Sequence, residues 1–335
     1  MKQYLRLVLG LLIAAFFFWL LARNISLHEV KAALQEASIA WLFLSVVVFF
    51  VGYACRIERW RLMLTLENSS LQWRQCAGPF MASIAANNIL PLRAGDILRC
   101  FGFNGKLGIS VAISLSALLV ERLLDVFILL ILLGTATLAF GLNISVFAGF
   151  SGMGFIAIGT GILLTLLFPT LFRPLIFGLT HAVGVLFPKL GELLRAQCNK
   201  IFTALERLSQ IARMLQLLFW SVLAWLGEGL VFLLVALALP SLHNTLAAWL
   251  AFPLGTLATI IPSTPGYAGT FDYFTAQAMV LLGNNPASAA AYALLVHAVL
   301  WLPPSLAGIS YFMLNPVQIK RSDTIPLCRT NKQQK

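Results

Sequence analysis

The chain has 335 residues, 60% of them hydrophobic and only 10% charged, with a net charge of +11. Many apolar runs approach the ~20 residues a helix needs to cross a bilayer, which predicts an all-α polytopic membrane protein and excludes a large soluble domain. The basic residues are shared among short loops and the tail rather than gathered on one soluble face, so topology and anionic headgroups account for them better than nucleic acid does.

In chain order, Lys2 and Arg6 precede an apolar run to Ala22 that is long for a signal peptide and lacks a cleavage site, so a retained helix is expected over 5–22. A second span is expected over 39–55, with Arg56, Arg59 and Arg61 beside Trp60 anchoring it at the interface. Next come a broken hairpin over 76–107 and a long helix over 109–141. After a span over 151–172, the polar stretch from Arg173 to Arg213 keeps Leu186, Phe187, Leu193, Leu194, Ile201, Phe202, Leu205 and Leu208 at helix-like spacing. It reads as an interfacial amphipathic helix. Spans over 215–239 and 288–314 flank a second broken hairpin over 246–282. Residues 317–335 form a basic tail behind a single membrane domain, 1–316.

Basic loops after the second span and over 173–213 mark the cytoplasmic side, and the uncharged linkers near Gly141 to Gly149 and Pro240 to Asn244 mark the outside. Both termini then fall in the cytoplasm, and the expected location is a bacterial inner membrane.

The two hairpins carry the most informative segments, NNILPLRAGDILR (Asn87 to Arg99) and IPSTPGYAGTFD (Ile261 to Asp272). Pro91 and Gly95 break the first, and Pro262, Pro265, Gly266 and Gly269 break the second. Irregular backbone survives at membrane depth only around a protein-lined cavity. Each break is followed by Ala-Leu-Leu-Val, at Ala117–Val120 and Ala293–Val296, with Gly108 and Gly283 at nearly matching offsets. Duplication is the economical explanation, giving repeats over about 5–141 and 151–314. The first would start inside and the second outside, so re-entrant hairpins would enter from opposite faces, as in inverted-repeat transporters. Two full crossings per hairpin is the alternative.

Charged residues inside apolar helices need partners or a wet cavity, because a charge at the bilayer centre costs about 2.5–3.5 kcal/mol even on a lenient scale. Arg93 and Arg99 suit a phosphodiester, and Asp96 shares a helical face with Arg99. Glu121, Arg122 and Asp125 form either a self-neutralising clamp within one helix or a cation site with one carboxylate to spare. Asp272 is a candidate for substrate contact, with helix capping as its plain reading. Glu228 and His297, each flanked by apolar residues, are candidate proton-titrating groups.

The five cysteines, Cys55, Cys76, Cys100, Cys198 and Cys328, show neither a disulfide framework nor metal spacing. No metal or other cofactor is expected, and no catalytic motif stands out: there is no Asp-X-Asp and no polar catalytic loop. An enzyme is therefore not the expected reading.

RIERWRLML from Arg56 to Leu64, NNILPLRAGDILR, Gly108-Ile109-Ser110, VERLLD from Val120 to Asp125 and IPSTPGYAGTFD, in this order, resemble the lysylphosphatidylglycerol synthase transmembrane-region (flippase-like) family. The resemblance covers nearly the whole chain. It implies movement of a lipid between leaflets, the lipid being an anionic or aminoacylated phospholipid or a polyprenyl phosphate. Only about twenty residues follow Asn315, which leaves no room for an aminoacyltransferase domain. The alternative is a scaffold for a lipid-modifying enzyme or a glycosyltransferase.

Overall fold

The computed structural model describes residues 12–13, 15–23, 26–90, 93–142, 151–261 and 264–315. Among them there are helices and turns and no strand. Residues 15–22 are helical. They are followed by α1 (Leu27–Gln35), α2 (Ile39–Leu64), α3 (Trp73–Ile89), α4 (Ala94–Phe101), α5 (Asn104–Leu107) and α6 (Val111–Ala139). The rest of the chain forms α7 (Gly152–Leu167), α8 (Arg173–Leu186), α9 (Pro188–Leu208), α10 (Ile211–Leu237), α11 (Ala248–Ala258), α12 (Thr270–Leu281) and α13 (Pro286–Leu314).

Among the described residues three helices, α2, α10 and α13, are long and apolar enough to cross a membrane. A bent pair, Gly152–Leu167 with Pro169–Ala182, turns by 89° and makes a fourth span if counted as one. Phe43, Val51, Leu215, Phe219, Leu306 and Met313 project from the three spans exposed. A soluble protein would bury so many large apolar side chains, and in a bilayer they face lipid.

The interior divides into two apolar cores. One packs Trp225, Phe232 and Phe252 with Ala289 and Tyr292, and the other packs Trp60, Met63, Phe80, Leu124 and Leu217. On α6 the division falls between Leu124 and Ile128, and on α10 between Leu217 and Trp225. The buried charges lie at this level.

The two long helices of the hairpin regions start alike. α6 follows Gly108 (φ 63°) and is capped by Ser110, whose Oγ accepts from Ile113 N; α13 follows Gly283 (φ 90°) and is capped by Asn285, whose Oδ1 accepts from Ala287 N. Val111 and Pro286, and likewise Ala139 and Leu314, stand 175 residues apart. So do Trp73 and Ala248, where α3 and α11 begin. Prolines lie inside both of these helices, Pro79 and Pro253. α2 and α10, the most extensively packed helix pair, cross where Gly52 meets Gly227, again 175 residues apart; a Cβ on Gly227 would stand 3.2 Å from Gly52 Cα.

Two expectations change. The second span runs on to Leu64, so Arg56, Arg59 and Arg61 lie within α2, and Arg59 is fully buried rather than set at the interface. The stretch 173–213 is not one amphipathic helix: α8 and α9 break at Phe187 and fold against each other, and α10 begins at Ile211. Pro188 at the first position of α9 fits a helix start, where its missing N–H leaves no bond unmade.

Candidate functional site

Phe49, Gly52, Arg59 and Met63 are buried along one face of α2 at helical spacing. On α6, Ala117, Val120, Glu121, Leu124, Asp125 and Ile128 make the corresponding stripe. Packing these two faces on α10 therefore forces an arginine and two carboxylates into the same interior.

Arg59 Nη1 donates to Asp125 Oδ1 and to Ser221 Oγ, both at 2.8 Å, and Nη2 lies 3.9 Å from Glu121. Trp225 Nε1 also donates to Asp125 Oδ1, at 3.0 Å. Arg99, equally buried, donates to Glu121 Oε1 at 3.0 Å and stands over the rings of Phe80 and Trp60 at 4.9 and 5.4 Å. Arg122 reaches three carboxylates, Asp96 at 3.2 Å and Glu121 and Asp125 at 3.6 Å each, with its side chain 35% exposed. Arg56 donates to Glu228 at 2.5 Å and stacks over Trp225 at 4.1 Å. Four arginines thus meet four carboxylates, and their charges balance. Their hydrogen bonding is incomplete: Arg59 Nε and Nη2, Arg99 Nη1, Arg122 Nε and Glu121 Oε2 are buried without hydrogen-bond partners. A guanidinium offers five N–H groups, so the arginine nitrogens among these are open positions for an anion or water, whereas the Glu121 oxygen awaits a donor.

Glu121, Arg122 and Asp125, for which a clamp within α6 and a cation site were both open, belong chiefly to a network between helices, since Asp125 lies closer to Arg59 than to Arg122. Of the residues singled out from sequence, Asp96, Arg99, Glu121, Arg122 and Asp125 come together here. Glu228 joins through Arg56, which was expected at the interface and lies within α2. The network also contains Arg59, Ser221 and Trp225. Arg59, expected at the interface, belongs instead to the buried α2 stripe, and neither Ser221 nor Trp225 carries a distinguishing signal in the sequence.

The first break folds around Asn87. Its Nδ2 donates to Asp96 Oδ1 at 3.0 Å and its Oδ1 accepts from Asp96 N at 3.1 Å, tying the two arms of the hairpin together. Gly95 allows this approach, since a Cβ there would stand 2.7 Å from Asn87 Oδ1 and strike Ser83 O. Leu90, just before a proline, is extended, as that neighbour requires. Arg93 then adopts the left-handed region, φ 53°.

In the second break, Gly266 (φ 71°) and Tyr267 (φ 62°) are left-handed and Pro265 opens a single 3-10 turn. Gly269 (φ 89°) precedes α12, where Asp272 Oδ2 accepts from Gly269 N at 2.8 Å, the capping role. Its other oxygen, Oδ1, lies 2.8 Å from His297 Nδ1. Asp272 and His297, read separately from the sequence, are thus one pair. Pro91 and Pro262 lie outside the described residues.

The breaks meet. Arg93 stands over the Tyr267 ring at 5.5 Å, and its Nη2 lies 3.4 Å from Thr259 O and Oγ1. Trp301 Nε1 donates to Asn88 O at 3.3 Å, linking α13 to the first hairpin. Beside this junction is a cavity of about 120 Å³, bounded by Thr256, Thr259, Tyr267, Phe271, His297 and Trp301 and reached by Glu228. Among the described residues no cluster is placed to hold a metal ion.

Apolar lipid-facing helices around broken hairpins and a buried ionic network define a multi-pass membrane protein with a charged layer inside it. The chain belongs to the family of the lysylphosphatidylglycerol synthase TM region, whose profile matches residues 7–308. No curated protein matches the chain.

Proposed function

We propose that this protein carries a lipid headgroup across the bacterial inner membrane, binding it where the two broken hairpins meet. The observation that carries this reading is the contact of Arg93 with Tyr267 and Thr259 beside an open cavity. Irregular backbone at the two breaks, and the unpaired guanidinium donors of Arg59, Arg99 and Arg122 in the neighbouring network, are costly inside a membrane protein unless they serve a polar ligand. Arg93 and the accessible Arg122 are the phosphate-contacting groups, with Arg99 behind them. Asp96, Glu121 and Asp125 hold the arginines, and the Asp272–His297 pair and Glu228 are candidates for coupling movement to protons.

The reading includes an inverted repeat. Arg93 and Tyr267, the two non-glycine left-handed residues among those described, each directly precede an Ala-Gly, and each break returns an aspartate to the long helix that follows: Asp96 to Arg122, Asp272 to His297. Their contact, and that of Gly52 with Gly227, are what an approximate two-fold axis would produce. Movement of one half against the other would expose the site to alternate sides. Both termini are then cytoplasmic.

Arg93→Ala and Asp272→Asn, reconstituted separately in liposomes, are expected to lose movement of short-chain fluorescent phospholipids while eluting as folded protein. Undiminished movement in both would sink the assignment. A scaffold for a lipid-modifying enzyme would tolerate both changes.

A further inference from the structure

We infer that the cavity between the second break and α13 is an ammonium-binding site, and that the headgroup it admits is a small amino-alcohol phosphodiester of the ethanolamine type. This names the substrate class of the site proposed above and rests on that reading for the ligand being a lipid.

The lining decides the sign of the guest. Neither lysine nor arginine lines the cavity, which is walled by Tyr267, Phe271 and Trp301 and by His297. Aromatic faces attract a cation through their quadrupole. The free polar atoms are predominantly acceptors. Arg56 holds one oxygen of Glu228, Oε2, at 2.5 Å, and Oε1 has no other partner among the described residues. Asn88 uses its amide nitrogen on Ser305, at 2.9 Å, and keeps Oδ1 free. Thr256 Oγ1 is buried with no hydrogen-bond partner. An ammonium, with donors and no acceptor, is the complement of such a set. The charged groups packed around it are Arg56 on Glu228, Asp272 on His297, and Arg93 beside Tyr267.

Size narrows the class. The cavity holds about 120 Å³, less than the roughly 150 Å³ of a cavity that admits benzene, so it suits a group of a few heavy atoms such as a two-carbon ammonium better than an extended lysyl chain. Arg93 marks where the phosphate would lie. It is half-buried, and its contacts to Thr259 are long, at 3.4 Å, so its fork remains available. Tyr267 and Thr259 border the cavity and also neighbour Arg93, so a phosphate at Arg93 and an ammonium in the cavity would lie side by side, as the two ends of an ethanolamine phosphodiester do.

The test is a titration of the detergent-purified full chain with dihexanoylphosphatidylethanolamine, dihexanoylphosphatidylglycerol and a short-chain lysylated phosphatidylglycerol, read by calorimetry. The ethanolamine lipid is expected to bind about tenfold more tightly than either of the others. Tyr267→Asn removes the ring but keeps a residue at ease with φ 62°, and is expected to erase that preference at unchanged Tm. Glu228→Gln is expected to do the same; should it fail to fold, Tyr267→Asn decides alone. Equal binding of the three lipids, no binding of the ethanolamine lipid, or a preference that survives Tyr267→Asn overturns the assignment. Liposome transport is read separately. Selective binding without movement keeps the cavity and removes the transport reading, whereas movement without selectivity keeps transport and removes the cavity's ligand.

Discussion

Arg59 and Arg122 sit in one ionic network, yet they differ in what their loss would do. Arg59 is fully buried and shares Asp125 with Trp225, so removing the carboxylate charge strands a guanidinium in the interior. Asp125→Asn is expected to lower stability by about 3–5 kcal/mol, the cost of breaking a buried pair. Arg122 is a third exposed and spreads its charge over three carboxylates that keep other arginine partners, so Arg122→Gln should cost less than Asp125→Asn does. Denaturation midpoints in one detergent check both, and equal losses would contradict this ranking. The α6 charges were legible in the sequence because Glu121, Arg122 and Asp125 stand alone in an apolar run. Their principal partners were not, since pairing across 66 residues, as between Arg59 and Asp125, depends on how helices pack. Arg59 was misread for a further reason: arginines after an apolar run resemble an interface anchor unless the helix continues past them, and here it continues to Leu64.

Among the elements, the hairpins depend on close approach. In α4, Gly95 packs against the backbone of Ser83 and the side chain of Asn87, so Gly95→Ala should destabilise by about 1–3 kcal/mol through overpacking. Gly161 in α7 has open space around its missing Cβ, and Gly161→Ala should be neutral or mildly stabilising. Thermal unfolding followed by fluorescence-detected gel filtration tests the contrast, and a Gly95→Ala protein as stable as Gly161→Ala would refute it. The apolar runs and both breaks were visible from composition and proline–glycine placement. The fold-back of α8 on α9 was not, because an amphipathic period reads the same whether its apolar face meets lipid or another helix. Nor could spacing reveal that Asp272 divides its two oxygens between a helix cap and His297.

For the whole molecule, the proposed arrangement places the α2–α3 loop in the cytoplasm and the α10–α11 loop outside. Ser70→Cys should then resist a membrane-impermeant maleimide in intact cells, while His243→Cys should react; labelling of both from the same face would refute opposed hairpins. The Gly52–Gly227 crossing has a consequence for how such a chain can change. If the halves descend from one duplicated gene, the ancestor placed this crossing between two copies of the same residue, so a single codon set both sides and any bulky replacement collided with its own image. In the present chain the two sides are free to differ, and they do: a Cβ on Gly227 would press on Gly52 Cα at 3.2 Å, whereas one on Gly52 would meet Ala224 O at an ordinary 3.4 Å, so the first methyl group has room on one side of the crossing only.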